Sequence, residues 1–253
     1  MTPFIKCKRG FSAVTKNAWG LSGNQLKLIA LITMTIDHIG AYLLPQYRIL
    51  RIIGRISMPI YAFMIAEGCH YTRNKAKYLG LMAGFALALQ LVNYFMRGVL
   101  HQCILVTFSL SIILIYTLQY VQKKKNAVSC MLFFLALAGV YWVCTVLPVH
   151  LPKFSIEYGF KGILLPVFIA LGISKPQKIL GAAVGLCFLA MGSNIQWYSL
   201  LALPLLALYS GLRGKGEYKY LFYIYYPLHL GAIYVIHWAL ENTKLLPWLQ
   251  SLF

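Results

Sequence analysis

Residues 26–44 read LKLIALITMTIDHIGAYLL, a stretch long and apolar enough to cross the hydrocarbon core of a bilayer as one α-helix. Asp37 and His38 stand in the middle of it. A carboxylate at that depth costs about 2.5–3.5 kcal/mol on insertion scales, so it is found there mainly where it has an ion-pair partner or a function. Histidine adds the side chain whose unperturbed pKa lies closest to neutrality. The stretch therefore predicts a membrane protein with chemistry or transport inside it.

The composition is that of a chain that crosses a membrane many times. Of the 253 residues, 60% are hydrophobic and 11% are charged, which excludes an ordinary soluble domain. We predict an all-α bundle of about nine transmembrane helices, or eight, because the sixth and seventh apolar runs are short. A basic arm, residues 1–25, precedes a single transmembrane domain, residues 26–253. The runs cover residues 26–44, 52–71, 78–96, 102–121, 128–147, 159–173, 179–192, 196–210 and 220–240.

The positions of the basic residues explain the net charge of +18. Threaded alternately from a cytoplasmic amino terminus, the predicted spans place 16 of the 23 Lys and Arg on the cytoplasmic side. This is the positive-inside pattern of multi-spanning proteins, and it puts the carboxyl terminus outside the cell membrane. Topology accounts for the charge, so we predict no nucleic-acid partner. The sixteen are Lys6, Lys8, Arg9, Lys16, Lys27, Arg73, Lys75, Lys77, Lys123, Lys124, Lys125, Lys175, Lys178, Arg213, Lys215 and Lys219.

The sequence carries no recognisable metal or nucleophile motif. Its six cysteines include no C-x-x-C pair, and G-x-S-x-G, Walker and H-E-x-x-H motifs are missing. Glu67 and His70 have the E-x-x-H spacing of carboxylate-bridged metal sites, but it occurs once and near the inner interface, so we predict no metal. Catalysis would rest on a general base.

Helix geometry brings several polar residues to similar depths. At a rise of 1.5 Å per residue, His38 lies about 18 Å into the first span and His229 about 15 Å into the last. Asp37, His38 and His229 are therefore predicted to occupy one layer. Arg55 lies about 6 Å below the outer surface, a little above that layer. Glu67 falls near the cytoplasmic end of the second span.

The directions of these side chains suggest which residues pair with each other. Neighbouring helix positions diverge by about 100°, so Asp37 and His38 are not expected to bond to each other. Arg51 and Arg55 share a helix face at i, i+4, and we expect Asp37 to neutralise one of them. His38 would then be free to handle a proton. Snorkelling also accounts for Arg51, and Arg55 is equally open to structural pairing or substrate contact.

Other polar residues keep structural alternatives. Pro227 frees a backbone carbonyl that the His229 imidazole could satisfy. Glu67 could pair with a basic loop residue such as Arg73. The aromatic side chains between residues 218 and 226 start at an interface, where an aromatic belt is expected.

Four stretches carry a likeness to a known family: TMTIDHIGAYLLP (33–45), RIIGRISMPIYAFMIAEGCHYTRNKAKYLG (51–80), SIEYGFKGILLP (155–166) and KYLFYIYYPLHL (219–230). Their D-H, G-R-I-S-x-P, E-G-x-x-x-T-R-N and Y-P-L-H motifs are specific as a set and span most of the chain in order. On these residues the chain resembles the TraX family, named for the conjugative-pilin N-acetyltransferase. That family is similar to a broader superfamily of transmembrane acyltransferases.

The resemblance implies a polytopic acyltransferase that uses acetyl-CoA and has a histidine as its key catalytic residue. By motif, this histidine maps to His38, with Asp37 beside it. Glu157 stands where the family usually has aspartate. The acceptor does not transfer with the motifs. The other motif positions here are Arg55, Glu67, Thr72, Asn74 and His229.

These expectations combine into one hypothesis, with acetyl-CoA as donor and a peptide, glycan or lipid as acceptor. Basic cytoplasmic loops, Arg213 among them, hold the phosphates, and a pantetheine arm of roughly 15–20 Å reaches His38 through a cavity open to the cell interior. His38 acts as general base, Arg55 or a backbone amide near Pro59 stabilises the oxyanion, and His229 assists proton release. The predicted donor-binding residues are Glu67, Thr72, Arg73, Asn74, Lys75, Lys215 and Lys219.

Two other classes of function stay open. A proton-coupled transporter would also account for buried Asp37, His38 and Arg55, although nine spans without a convincing internal repeat suit it poorly. A membrane scaffold without catalysis is the third class. Uptake into proteoliposomes would reveal the transporter, and transfer from labelled acetyl-CoA would reveal the enzyme.

Overall fold

Helices make up nearly all of the ordered elements of this chain. The structure is a computed structural model that describes residues 20–98, 100–151, 153–214 and 219–243. Within those ranges, one 3-10 helix and one parallel pair of two-residue strands accompany the α-helices, so the all-α prediction is confirmed. The elements are α1 Gly23–Tyr42, α2 Arg48–Gly54, α3 Ser57–Tyr71, α4 Lys75–Arg97, β1 His101–Gln102, α5 Ile104–Lys124, α6 Ala127–Thr145, α7 Leu147–His150, β2 Ser155–Ile156, α8 Gly159–Leu171, α9 Lys175–Ala190, a 3-10 helix Asn194–Ala202, α10 Leu203–Ala207 and α11 Lys219–Asn242.

The helices are those of a membrane protein. In the described part of the chain, four helical stretches are long and apolar enough to cross a bilayer, and α8 is a shorter apolar helix. Nine spans, and the side on which each terminus lies, stay predictions. The amino-terminal arm predicted at residues 1–25 falls mostly outside the described residues. The four stretches are Arg48–Tyr71, Lys75–Phe95, Ile104–Lys124 and Ala127–His150.

Two of the predicted spans differ from the structure. The second begins at Arg48 and breaks between α2 and α3, because Pro59 has no N–H to donate to the Arg55 carbonyl four residues earlier. The Ser57 hydroxyl donates instead to the Gly54 carbonyl at 2.8 Å. The eighth predicted span is a 3-10 helix followed by the short α10, with Pro204 at its first turn. Hydropathy predicts neither change, because it depends on side-chain polarity and not on backbone hydrogen bonds.

Burial divides the helices into a centre and a rim. In the apolar window of Arg48–Tyr71, 61% of residues are buried inside the protein, against 6% in Ala127–His150. Since α6 and α7 expose apolar side chains that a soluble protein would cover, their faces suit lipid. In the centre, α8 and α9 approach closely at Gly181, where a Cβ would overlap the backbone carbonyl of Phe168.

Backbone bonds tie the start of α1 to the segment before α11. Ser22 closes a capping box at the amino end of α1. The Gly23 N–H donates to the Leu212 carbonyl at 2.7 Å, and the Asn24 N–H donates to the Arg213 carbonyl at 2.9 Å. Arg213 is thereby held beside the first turn of α1.

Candidate functional site

Asp37 is shared between two arginines. Its Oδ2 lies 2.6 Å from Arg51 Nη1 and its Oδ1 lies 2.5 Å from Arg55 Nη2. The Arg55 side chain is 6% exposed and the Arg51 side chain 31%. The predicted pairing of Asp37 with one of these arginines is confirmed, and the structure adds the second pair. No described contact joins Asp37 to His38. Their roles in catalysis stay predictions.

The close approach of α2 to α1 makes this pairing possible. Gly54 packs directly against Asp37, and a Cβ at this position would overlap the carboxylate. The Arg55 Nε donates to the Arg51 carbonyl at 3.2 Å, which fixes the guanidinium at the end of α2. The glycine before the arginine in the G-R-I-S motif thus leaves room for the ion pair.

His38 is hydrogen-bonded to His229. His38 Nδ1 lies 2.9 Å from His229 Nε2, and His229 Nδ1 lies 2.9 Å from the backbone carbonyl of Tyr225. The prediction that the two histidines share a layer is confirmed. The sequence predicts that His38 is free to handle a proton, and the bond from Nδ1 to His229 leaves only Nε2 for that role. His229 does bond to a backbone carbonyl, but that carbonyl belongs to Tyr225. The carbonyl that Pro227 frees, four residues earlier, is that of Tyr223, so the predicted reason for the bond is wrong.

This chain of bonds fixes the tautomers of two neutral rings. A carbonyl only accepts, so His229 Nδ1 must carry the proton and its Nε2 must accept. His38 Nδ1 is then the donor, which leaves His38 Nε2 with an unprotonated lone pair. A nitrogen in that state can take a proton from a reacting group.

A second contact aligns α11 with α1. The Tyr225 hydroxyl lies 2.9 Å from Thr35 Oγ1, and the Tyr225 ring stacks on His229 at 5.1 Å and an interplanar angle of 10°. Tyr226 is 8% exposed and packs its edge against His229 at 5.6 Å. These two tyrosines therefore support the histidine pair, and the predicted aromatic belt does not describe them.

A polar cavity of about 310 Å³ adjoins the histidine and the ion pair. It contains the Arg51 and Arg55 guanidiniums, the Glu157 carboxyl and the Gln196 amide, so a polar group entering it meets both donors and acceptors. No sequence signal pointed to Gln196, because a lone glutamine at the first position of the predicted span 196–210 belongs to no motif. The lining residues are Asp37, His38, Ala41, Tyr42, Arg51, Arg55, Glu157, Tyr158 and Gln196.

Short strands and a buried threonine hold Glu157 at this cavity. Its N–H donates to the Gln102 carbonyl at 3.0 Å, and its own carbonyl accepts from Thr107 Oγ1 at 2.6 Å. Glu157 lies in the connection before α8, outside the spanning helices. Burial is the main cause that raises the pKa of Glu157 from 4.5 to about 7, and Asp37 adds to the rise while Arg55 and Arg51 oppose it.

The raised pKa predicts how stability depends on pH. Below pH 4.5 the Glu157 carboxyl is protonated in both the folded and the unfolded chain. Between pH 4.5 and 7 only the unfolded chain ionises, so the free energy of unfolding falls as pH rises, by up to about 3 kcal/mol.

Thermal unfolding of detergent-solubilised protein from pH 4.5 to 8 measures this slope, and Glu157→Gln should flatten it. Exposed Glu241 serves as the control as Glu241→Gln, and equal slopes for wild type and Glu157→Gln would contradict the assignment.

An apolar cavity of about 390 Å³ is lined by neighbours of the histidine pair, although neither histidine lines it. Met34 and Tyr226 line it next to His38 and His229, and Lys27 and Arg213 line it at the opposite end of α1. No acidic side chain lines it within the described chain. An apolar interior with two cations at one end suits a ligand with an apolar or amide-bearing arm and an anionic head.

One face of α1 joins the two cavities. Lys27, Met34 and His38 recur at the spacing of a helix face, and His38 stands about 16 Å along the axis from Lys27 at 1.5 Å per residue. Sequence reasoning counted Lys27 only as a topology charge. The helical spacing from Lys27 to His38 is the signal that could have linked it to the site.

The predicted donor-binding residues meet different surroundings. Thr72 lines the apolar cavity, and Arg73 is exposed. Asn74 caps α4 by accepting from the Lys77 N–H at 2.8 Å. Lys75 Nζ bonds to Gln119 Oε1 at 2.5 Å. Their part in donor binding stays a prediction.

Three further predictions concern the same end of the bundle. Glu67 is buried and forms an ion pair with Lys178, so the suggested partner Arg73 is wrong. Lys215 lies outside the described residues, and so does the side chain of Lys219. Within the described residues, no group of three or more potential metal ligands occurs.

Comparisons with known proteins match most of this chain to one family. A family model described as "TraX protein" matches residues 22–237. A probable fimbrial assembly protein, FimC of serogroup H1 from Dichelobacter nodosus, is 38% identical over 73 residues, covering 27% of this chain and 30% of that protein. The uncharacterized protein RP591 of Rickettsia prowazekii (strain Madrid E) is 63% identical over 38 residues, 15% of each chain. The matched stretches thus span under a third of either relative. No solved structure matches.

Proposed function

Because this chain belongs to the TraX family, we propose that it is an integral membrane acyltransferase that moves an acetyl group from acetyl-CoA to an amine or hydroxyl acceptor. The observation that carries the proposal is the His38 ring, whose Nε2 is left as an acceptor and which lines the polar cavity. The apolar cavity comes within one helical turn of it, because Met34, four residues before His38, lines that cavity. Acyl transfer needs this arrangement, because donor and acceptor must approach one base from two sides.

The apolar cavity is the donor site in this proposal. Lys27 and Arg213 hold the phosphates of coenzyme A at its mouth, which faces the cytoplasm. The axial distance of about 16 Å from Lys27 to His38 falls within the reach of a pantetheine arm, roughly 15–20 Å. Hydroxyl groups of Tyr61, Tyr78 and Thr72 line the path and can bond to the pantetheine amides.

The polar cavity is the acceptor site. The acceptor's N–H or O–H donates to His38 Nε2, its lone pair attacks the thioester carbonyl, and the proton passes to His38. The C–S bond then breaks, and His38 returns the proton to the departing thiolate to give free coenzyme A. Arg55 lines this cavity and has N–H donors beyond those that Asp37 and the Arg51 carbonyl accept, so it stabilises the oxyanion.

The acceptor is carried by a peptide, a glycan or a lipid that reaches the polar cavity from the extracytoplasmic side. The partial likeness to a probable fimbrial assembly protein makes a surface peptide one member of that set. This orientation follows the positive-inside pattern, with the amino terminus in the cytoplasm and the carboxyl terminus outside.

Charge removal at the cavity mouth tests the donor site. Replacing both cations in Lys27→Gln/Arg213→Gln is expected to raise the KM for acetyl-CoA about tenfold or more, because two phosphate contacts are lost. The measurement is transfer of labelled acetyl from acetyl-CoA by protein in proteoliposomes supplied with a membrane and periplasmic extract. The wild-type KM should also rise with salt.

A matched control separates a local effect from net charge. Lys123→Gln/Lys124→Gln removes two charges from exposed positions that line neither cavity, and its KM should stay at the wild-type value. Equal KM values for both double variants would contradict the proposed donor site. A wild-type protein that transfers no acetyl group and binds no acetyl-CoA would contradict the proposed function itself.

Proton-coupled transport by the same cluster is not favoured. The hydrogen-bond chain from His38 ends at the Tyr225 carbonyl, which has no proton to pass on. A proton taken up by His38 therefore has to leave by the Nε2 side on which it arrived, which suits a general base better than a relay across the membrane.

A further inference from the structure

The inner end of the apolar cavity has a feature that the reaction does not require. Tyr226 is 8% exposed, lines this cavity and packs its ring edge against His229 at 5.6 Å. A side chain in this position bounds the space that is left beyond a thioester held at His38. Resting on the proposed function, we propose that Tyr226 limits the length of the acyl group, so that the enzyme uses acetyl and rejects longer chains.

The dimensions of the donor site support this limit. A pantetheine arm of roughly 15–20 Å occupies the full path of about 16 Å between Lys27 and His38. An acyl chain beyond the thioester then meets either the Tyr226 ring or the polar cavity. That cavity holds Arg51, Arg55 and Asp37, whose groups favour water or polar partners over methylenes.

Tyr226 suits this role better than its apolar neighbours do. Met34 lines the same end of the cavity, but methionine is flexible and adapts its shape to a ligand. The backbone of Tyr226 is restricted because Pro227 follows it. Its ring also lies beside His229, which is itself bonded to Tyr225 and His38. The ring is therefore a fixed wall.

The test compares kcat/KM for acetyl-CoA, butyryl-CoA and hexanoyl-CoA in the reconstituted protein. Wild type should lose at least about tenfold for each added pair of methylenes, as a tight pocket discriminates against oversized groups. Tyr226→Ala should raise the hexanoyl-to-acetyl ratio about tenfold or more. Tyr226→Phe keeps the ring and should keep the wild-type ratio. Tyr71→Ala removes an exposed tyrosine from the cytoplasmic end of the same cavity and should also leave the ratio unchanged.

The outcomes separate this inference from the proposed function. Acetyl transfer by Tyr226→Ala with an unchanged ratio overturns the inference and leaves the enzyme in place. No acetyl transfer by wild type overturns the proposed function. Where Tyr226→Ala is inactive, Tyr226→Val replaces it. The rise in the thermal midpoint of Tyr226→Val on adding hexanoyl-CoA then measures entry of the longer acyl chain without turnover. The inference is overturned if that shift does not exceed the wild-type shift.

Discussion

Replacing His38 with asparagine is expected to lower acetyl transfer by on the order of 10²–10⁴-fold, the usual contribution of a general base. Asparagine places an NH₂ group where His38 has Nδ1–H, so the bond to His229 Nε2 can persist. Asparagine has no atom at the position of the His38 Nε2. The variant therefore removes the base while keeping α1 and α11 joined. Transfer of labelled acetyl in proteoliposomes, normalised to the amount of folded protein, gives the rate.

The control for this substitution is His150→Asn, at an exposed histidine that lines neither cavity. It should retain the wild-type rate. His38→Asn turnover within threefold of wild type would remove His38 from the mechanism. Its thermal midpoint should stay near that of wild type, because a rate lost through unfolding would appear there first.

His229 is expected to behave as a positioning residue, and its variants separate this role from catalysis. In His229→Gln, the side-chain oxygen reaches the place of Nε2 and can accept from His38 Nδ1–H, so His38 keeps the productive tautomer. In His229→Leu no acceptor remains, and His38 can hold its proton on either nitrogen. The first variant should therefore retain far more activity than the second, although the two residues are similar in size.

The sequence predicted the helical architecture well, because the length of an apolar run predicts a membrane helix. Predicted spans such as 102–121 and 159–173 lie within three residues of α5 and α8 at either end. The break at Arg55 was not predicted, although Pro59 signals it, since hydropathy continues unbroken across residues 52–71. The 3-10 helix over Asn194–Ala202 depends on backbone bonds that side-chain polarity does not encode.

Depth counting predicted the layer of Asp37, His38 and His229, but not which atoms meet. The rise per residue fixes height, whereas the rotation of α11 about its axis comes from packing such as the Thr35–Tyr225 contact. The residues that line the two cavities escaped prediction for the same reason, because each cavity is bounded by helices remote in sequence. Tyr226 illustrates this: its sequence neighbours are aromatic, which favoured an interfacial belt, yet the fold turns it inward against His229.

The second large effect is expected on stability. Asp37→Ala should lower the free energy of unfolding by about 3–5 kcal/mol, the usual loss when one partner of a buried ion pair is removed. The loss is large because two guanidiniums then lose the carboxylate that both bind, and one of them, Arg55, has a side chain only 6% exposed. Titration with a denaturing detergent, followed by circular dichroism, measures the change. Glu241→Ala, which breaks the exposed His237–Glu241 pair at 3.5 Å, should cost less than about 1 kcal/mol.

A double-mutant cycle can assign that loss to one arginine or the other. Burial strengthens an ion pair by lowering the local dielectric, and it raises the penalty for a charge left alone. Arg55 should therefore couple to Asp37 more strongly than Arg51, which is 31% exposed and can turn its guanidinium towards water. The cycles compare Asp37→Ala with Arg55→Ala and with Arg51→Ala. Equal coupling energies would mean that Arg51 is as well shielded from water as Arg55. An acceptor site open to the outside would then lose its support.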